Sequence, residues 1–213
     1  MRLQVRRFVQ NVRAFAKEES GVLLAEALIT MPLLIWGCVA LFVYWDVYKT
    51  INVAQKAAYS VADLLSRQAV VTEDFVDHLP EVLAFLTPGV TGSRMRVTSM
   101  EFDEGTTIQP TVFDADDHYH LLFSCSSDAV KAKPLTDVTI QFLEPQIPTL
   151  DNLGSVVIVE TWTDYTPDFD IGVLNVAPGL TDQTFTNFIV TTPRGTRRVC
   201  LAGGATECSN TDC

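Results

Sequence analysis

The sequence predicts an α+β chain in which one long N-terminal helix packs on a C-terminal, mainly antiparallel β domain. Three observations carry that expectation. Residues 27–45, ALITMPLLIWGCVALFVYW, are 19 consecutive positions without a charge. Directly behind them Val47, Ile51, Ala54, Ala58, Val61 and Leu65 recur at spacings of four and three, the period of a helix with one apolar stripe. From about residue 94 the texture changes to short, β-branched, alternating runs separated by Pro, Gly, Asn and Asp.

The first half of the helix reads as a membrane span. At roughly 1.5 Å per residue, residues 27–45 extend about 28 Å, close to the ~30 Å of bilayer hydrocarbon. A soluble helix of this length needs a polar stripe, and this one has none. Residues 1–21 carry Arg2, Arg6, Arg7, Arg13 and Lys17 against Glu18 and Glu19, so the positive-inside rule keeps this flank in the cytoplasm. Trp36, Tyr44, Trp45 and Tyr48 include an aromatic belt for the outer interface, and the body from residue 46 onward is expected to be exported. A cleaved secretory signal is the simpler rival. Its apolar core is usually shorter, about 7–15 residues, and ends at a small-x-small site that is not convincing here.

Charge separates the chain into a basic tip, an apolar span and an acidic body. The 213 residues carry a net charge of −11 and are 47% hydrophobic, which excludes a disordered or collagenous chain. Residues 46–213 hold ten basic and 23 acidic groups. Such a surface repels phosphate, so nucleic acid is not an expected partner.

The amphipathic continuation covers residues 46–70, giving one helix over about 22–67, roughly 69 Å long. Its stripe suits packing on the chain's own domain or on neighbouring subunits. Thr72 is a good N-cap for a second helix, with Glu73, Asp74 and Asp77 in the first turn and Phe75, Leu79, Leu83 and Leu86 as its buried face. Pro80 is expected to shorten or bend it, and Pro88-Gly89 to end it. Strands are expected at 95–102, 118–124, 138–143, 156–163 and 185–191, with the wholly apolar 156–159 in the centre of the sheet.

Four cysteines in the body, Cys125, Cys200, Cys208 and Cys213, suggest two disulfides in an oxidising compartment, with three pairings open. A bridge from Cys125 to one of the other three would anchor the tail. No C-x-x-C pair or nearby His supports zinc, and no metal site is expected. The run 114–120, DADDHYH, clusters three carboxylates and two imidazoles, yet it lacks the spacing of a calcium loop and reads as an acidic loop leading into a strand. Neither a nucleophile elbow nor a phosphate-cradling Gly-rich loop is present, so no catalytic residue, enzymatic activity or cofactor is expected.

The segment SGVLLAEALITMPLL holds the most specific signal. Glu26 lies inside the apolar stretch, where a carboxylate costs about 2.5–3.5 kcal/mol unless it is protonated or paired. A cut between Gly21 and Val22 would supply the partner, a new α-amino group. The amine of the same chain lies more than one helical turn from Glu26, so a neighbouring subunit's pairing fits better and would set the stagger between helices. Pro32 frees the carbonyl of Leu28 and is expected to kink the helix, which membrane helices tolerate. Gly37 and Cys38 mark either a packing face or an accident of the lipid-facing surface.

This pattern of basic leader, Gly, a Glu at the fifth position after the Gly21–Val22 bond, and apolar helix resembles the type IV prepilins. Glu26-Ala27-Leu28 followed by Pro32 is similar to the TadE-like minor pseudopilins of the tight-adherence (Flp) pilus system. SVVIVETWTDYTPDF, with Glu160, Tyr165 and Pro167, and the arginine-bearing TTPRGTRRV resemble that family further along the chain. The D-x-S-x-S motif of the longer TadG-like relatives is absent.

The resemblance implies a pilin-like helix and four parts: a cleaved leader 1–21, a transmembrane half 22–45, an amphipathic half 46–70 and a periplasmic α+β domain 71–213. It also implies a single-pass inner-membrane protein cut by the prepilin peptidase between Gly21 and Val22, with Glu26 recruiting a neighbour. Its implied partners are other minor and major pilins, the inner-membrane assembly platform and membrane lipid. The alternative is an uncleaved single-span protein whose periplasmic domain binds a ligand or an envelope partner.

Overall fold

The structure, a computed structural model, describes residues 20–90, 92–104, 117–128, 130–168, 182–202 and 208–210. The described residues fall into two units, one holding 20–45 and the other those from 46 onward.

Helix α1 (Ser20–Ser66) is 47 residues long and continues through Pro32, as expected for a helix over about 22–67. In the second unit Ala54, Ala58, Val61 and Leu65 of the stripe are buried, and Ala57 and Ala62 join them. Ile51, also in the stripe, stays 37% exposed.

Helix α2 (Glu73–Leu86) starts where Thr72 Oγ1 accepts from the Phe75 N–H at 3.2 Å, the expected cap. It does not stop at Pro80, which lies inside the helix. Its buried residues are Val76, Leu79 and Leu83; Phe75 is half-buried and Leu86 is exposed, contrary to expectation. Beyond the last turn Gly89 takes φ 91°, a reversal that side chains disfavour.

Strands β2 (Gly92–Glu104), β3 (Asp117–Ser126), β4 (Ser155–Tyr165) and β5 (Gln183–Thr191) form an antiparallel sheet. Its order is β5-β4-β2-β3, extended beyond β3 by the two-residue β7 (Ser209–Asn210). Short strands β1 (Val70–Thr72) and β6 (Cys200–Ala202), which the sequence reading did not anticipate, pair in parallel.

Both faces of the sheet are covered, which explains the uninterrupted apolar run in β4. Val157 and Val159 face the core shared with α1 and α2, whereas Val156 and Ile158 face a second core with Ile140 and Ile147. All four β4 residues are fully buried, and β4 is central as expected.

Strand β3 does not alternate simply. Its register against β2 shifts between Ser99 and Met100, where Phe123 and Leu121 are the respective partners and Leu122 is the extra residue. Tyr119 and Leu121 therefore join the second core while Phe123 and Cys125 join the first. The bulge turns Cys125 toward the side on which Cys208 packs, and the two form a disulfide that closes 83 residues. Cys200 is also disulfide-bonded, Cys38 is free, and Cys213 lies outside the described residues.

The expected strand at 138–143 is instead helix α3 (Asp137–Ile140) running into a 3₁₀ turn (Gln141–Gln146). Thr136 N–H donates to Thr139 Oγ1 at 2.7 Å, and Pro145 lacks a ladder donor, so local chemistry overrides the β-branched residues. The segment has a task at the sheet edge. Gln141 accepts from the Tyr119 N–H at 3.2 Å and donates to the Tyr119 carbonyl at 2.7 Å, while Asp137 accepts from the Leu121 N–H at 2.8 Å. These side chains reproduce the bonds of a neighbouring strand and close the edge of β3.

Gln141→Ala should therefore accelerate amide exchange at Tyr119 while leaving the β2–β4 ladder protected, and should cost roughly 1–3 kcal/mol of stability. Residue-resolved hydrogen exchange checks this.

Candidate functional site

Over residues 21–45 of α1 most of the described side chains are apolar and exposed, Ala40 and Val43 being buried. Leu24, Leu28, Ile29, Leu33, Leu41 and Phe42 are each 62–74% exposed. This helix is long and apolar enough to cross a membrane, and only 11% of its apolar window is buried. Apolar surface on this scale marks a contact with lipid or protein.

The predicted N-terminal residues lie on this exposed rod. Gly21, Val22 and Glu26 are all exposed and helical. Among the described residues Glu26 has no ion-pair partner. Pro32 and the free Cys38 lie further along the same helix, also exposed.

In the second unit α1 is tied to the sheet by polar contacts. Tyr165, at the end of β4, is buried and donates its hydroxyl to Asp46 Oδ2 at 2.9 Å. Burial first, and then the Asp46 hydrogen bond and charge, push the Tyr165 phenol up to about 12. Further along, Asp63 takes Arg67 at 2.9 Å and Arg194 at 3.2 Å. The Arg67 hydrogen bond, aided by both guanidinium charges, holds the Asp63 carboxyl below the usual range. Arg194 N–H also donates to the Ser66 carbonyl, so the C-terminal arginine segment clasps the end of α1.

Glu160 forms a two-pronged pair with Arg96 at 2.6 and 2.7 Å, directly across the β4–β2 register. Arg96 also donates to the Lys133 carbonyl and lies 5.4 Å from the Trp162 ring centroid. Glu101 is a buried carboxylate held by Arg198 at 3.0 Å and, more loosely, by Arg197 at 3.8 Å. Of the motif residues near the end of the chain, Glu160, Tyr165, Arg194, Arg197 and Arg198 are thus all engaged in attachment. Pro167 is half-buried beyond β4.

Sequence reasoning missed the other half of each pair: Asp46, Asp63, Arg96 and Glu101. Arg96 lay on an expected strand, as did Glu160, but their pairing across neighbouring strands came only with the topology. The others join residues 96 to 131 positions apart and needed the topology. Of the acidic run, residues 114–116 lie outside the described residues, and His118 and His120 share one side of β3 with ring centroids 4.3 Å apart. No metal-holding cluster occurs among the described residues.

An apolar, uncovered N-terminal helix leading into a sheet domain that grips its second half is a pilin-like architecture. No family model, curated protein or solved structure matches the chain.

Because neutral Tyr165 is the form that donates to Asp46, its contribution to stability is complete below pH ~10 and is lost as pH rises toward 12. Tyr165→Phe should remove the late tyrosinate step from an absorbance titration and cost roughly 1.5–3 kcal/mol below pH ~10.

Proposed function

We propose that this chain is a minor pseudopilin of the TadE-like kind that takes part in assembling a tight-adherence type IV pilus used for surface adhesion. The observation that carries the reading is Glu26, an exposed carboxylate without a described ion-pair partner in the otherwise uncharged first half of α1, at the fifth position after the Gly21–Val22 bond. The basic leader 1–21 stays in the cytoplasm, the apolar half of α1 crosses the inner membrane, and the acidic sheet domain faces the periplasm. The prepilin peptidase cuts between Gly21 and Val22. The new amine at Val22 then pairs with Glu26 of a neighbouring pilin, and the same helix surface passes from lipid into a bundle of pilin helices at the assembly platform.

Two supports come from elsewhere in the molecule. The buried stripe from Ala57 to Leu65, with the Asp46–Tyr165 hydrogen bond, holds the second half of α1 on its own sheet domain, so the part left for other chains is the apolar first half. The disulfides suit the oxidising periplasm. In this reading the protein acts by assembly, and no catalytic step is assigned to it.

Glu26→Ala separates membrane anchoring from recruitment, because losing the carboxylate eases insertion by about 2.5–3.5 kcal/mol. The variant should enter the membrane at least as well as the parent, yet fail to crosslink to other pilins or support pili in its host. Pili and crosslinks at parental levels with Glu26→Ala would leave a plain single-span protein with a periplasmic binding domain.

A further inference from the structure

Residues 82–93, VLAFLTPGVTGS, contain no charge in a body that otherwise carries 23 acidic and ten basic groups. Within this stretch α2 has a second apolar surface besides the Val76-Leu79-Leu83 face buried in the core. Val82, Phe85 and Leu86, at i, i+3 and i+4, are 40%, 84% and 37% exposed. A phenyl ring left that bare at a helix end is costly in water.

Its position in the second unit gives the surface a meaning. The residues that follow, Thr87 to Val90, line a cavity of about 240 Å³ together with Asp46, Lys49, Thr50 and Val53 of α1. Those α1 residues are the first two turns beyond the uncharged run that ends at Trp45. At about 1.5 Å per residue they cover roughly 12 Å, and the headgroup layer outside the hydrocarbon is roughly 5–8 Å deep. The end of α2 thus lies beside the stretch of α1 that emerges through the headgroups.

We propose that the last turn of α2 is a membrane-surface contact, with Val82, Phe85 and Leu86 set into the headgroup–acyl boundary of the bilayer that α1 spans. This rests on the span reading above. Lipid is the occupant because the patch adjoins the emerging helix and carries no charge for a polar partner to read. A second copy would have to bring its own acidic body against this one, and the anionic body meets a bilayer most easily through an uncharged patch. Helix α1 and the α2 turn then form two points of attachment that fix how the sheet domain stands on the membrane.

Nitroxide labels on full-length protein in phosphatidylcholine vesicles test this. The native Cys38 thiol reports the span. Phe85→Cys and, separately, Leu86→Cys in a Cys38→Ser background report the patch, and Val130→Cys, at a site 89% exposed, reports water. The labels at 85 and 86 should lose collisions with an aqueous nickel chelate and gain collisions with oxygen relative to the label at 130. Collision rates equal to those at 130 overturn the proposal. Shielding of 85 and 86 from both reagents also overturns it, in favour of a protein partner. A Cys38 label open to nickel removes the span and the proposal together, whereas a lipid-shielded Cys38 beside a water-exposed position 85 removes the proposal alone.

Discussion

Between Ala27 and Trp45 every residue is uncharged, and a helix built from them has no face to turn to water. Most of its described apolar side chains are exposed, and surface of this kind marks a contact with lipid or protein. Pro32 can sit within it where neighbouring helices or local adjustment of the backbone satisfy the freed carbonyl. Glu26 is the exception to the apolar surface, and its cost in hydrocarbon gives it a reason to seek a cationic partner.

A protein that hands half of a helix to its surroundings has to hold the other half firmly. The second half of α1 buries a row of alanines in the core, and Asp46 meets Tyr165 while Asp63 meets Arg194. Charged pairs inside the domain do similar work between strands. Arg96 with Glu160 lies largely out of solvent, so removing one partner would leave a desolvated charge, an effect of about 3–5 kcal/mol. The Arg67–Asp63 and Arg194–Asp63 pairs lie at the surface and matter for register more than for stability.

Much of the fold was legible because period and composition are local properties. The helix over about 22–67 came from an uncharged run and a helical spacing, the Thr72 cap from residue type and the central place of 156–159 from an apolar run, and each is present. The strand expected at 138–143 failed because Thr136, Thr139 and Pro145 favour a helical turn, and because Asp137 and Gln141 serve the β3 edge rather than a ladder. The Leu122 bulge and the β1–β6 pair were invisible for another reason. Both depend on which strands meet, and no window of sequence contains that information. At the site, Glu26 and the Gly21–Val22 bond stand out by chemistry in context. Asp46 became meaningful only once the topology brought Tyr165 to it.

The most direct measurement is the intact mass and N-terminal sequence of the protein recovered from membranes of its native host. The account predicts a chain that begins at Val22, and a chain that keeps residues 1–21 when the prepilin peptidase is deleted. A chain still beginning at Met1 in peptidase-competent cells would contradict it, because Glu26 would then have no new amine to meet.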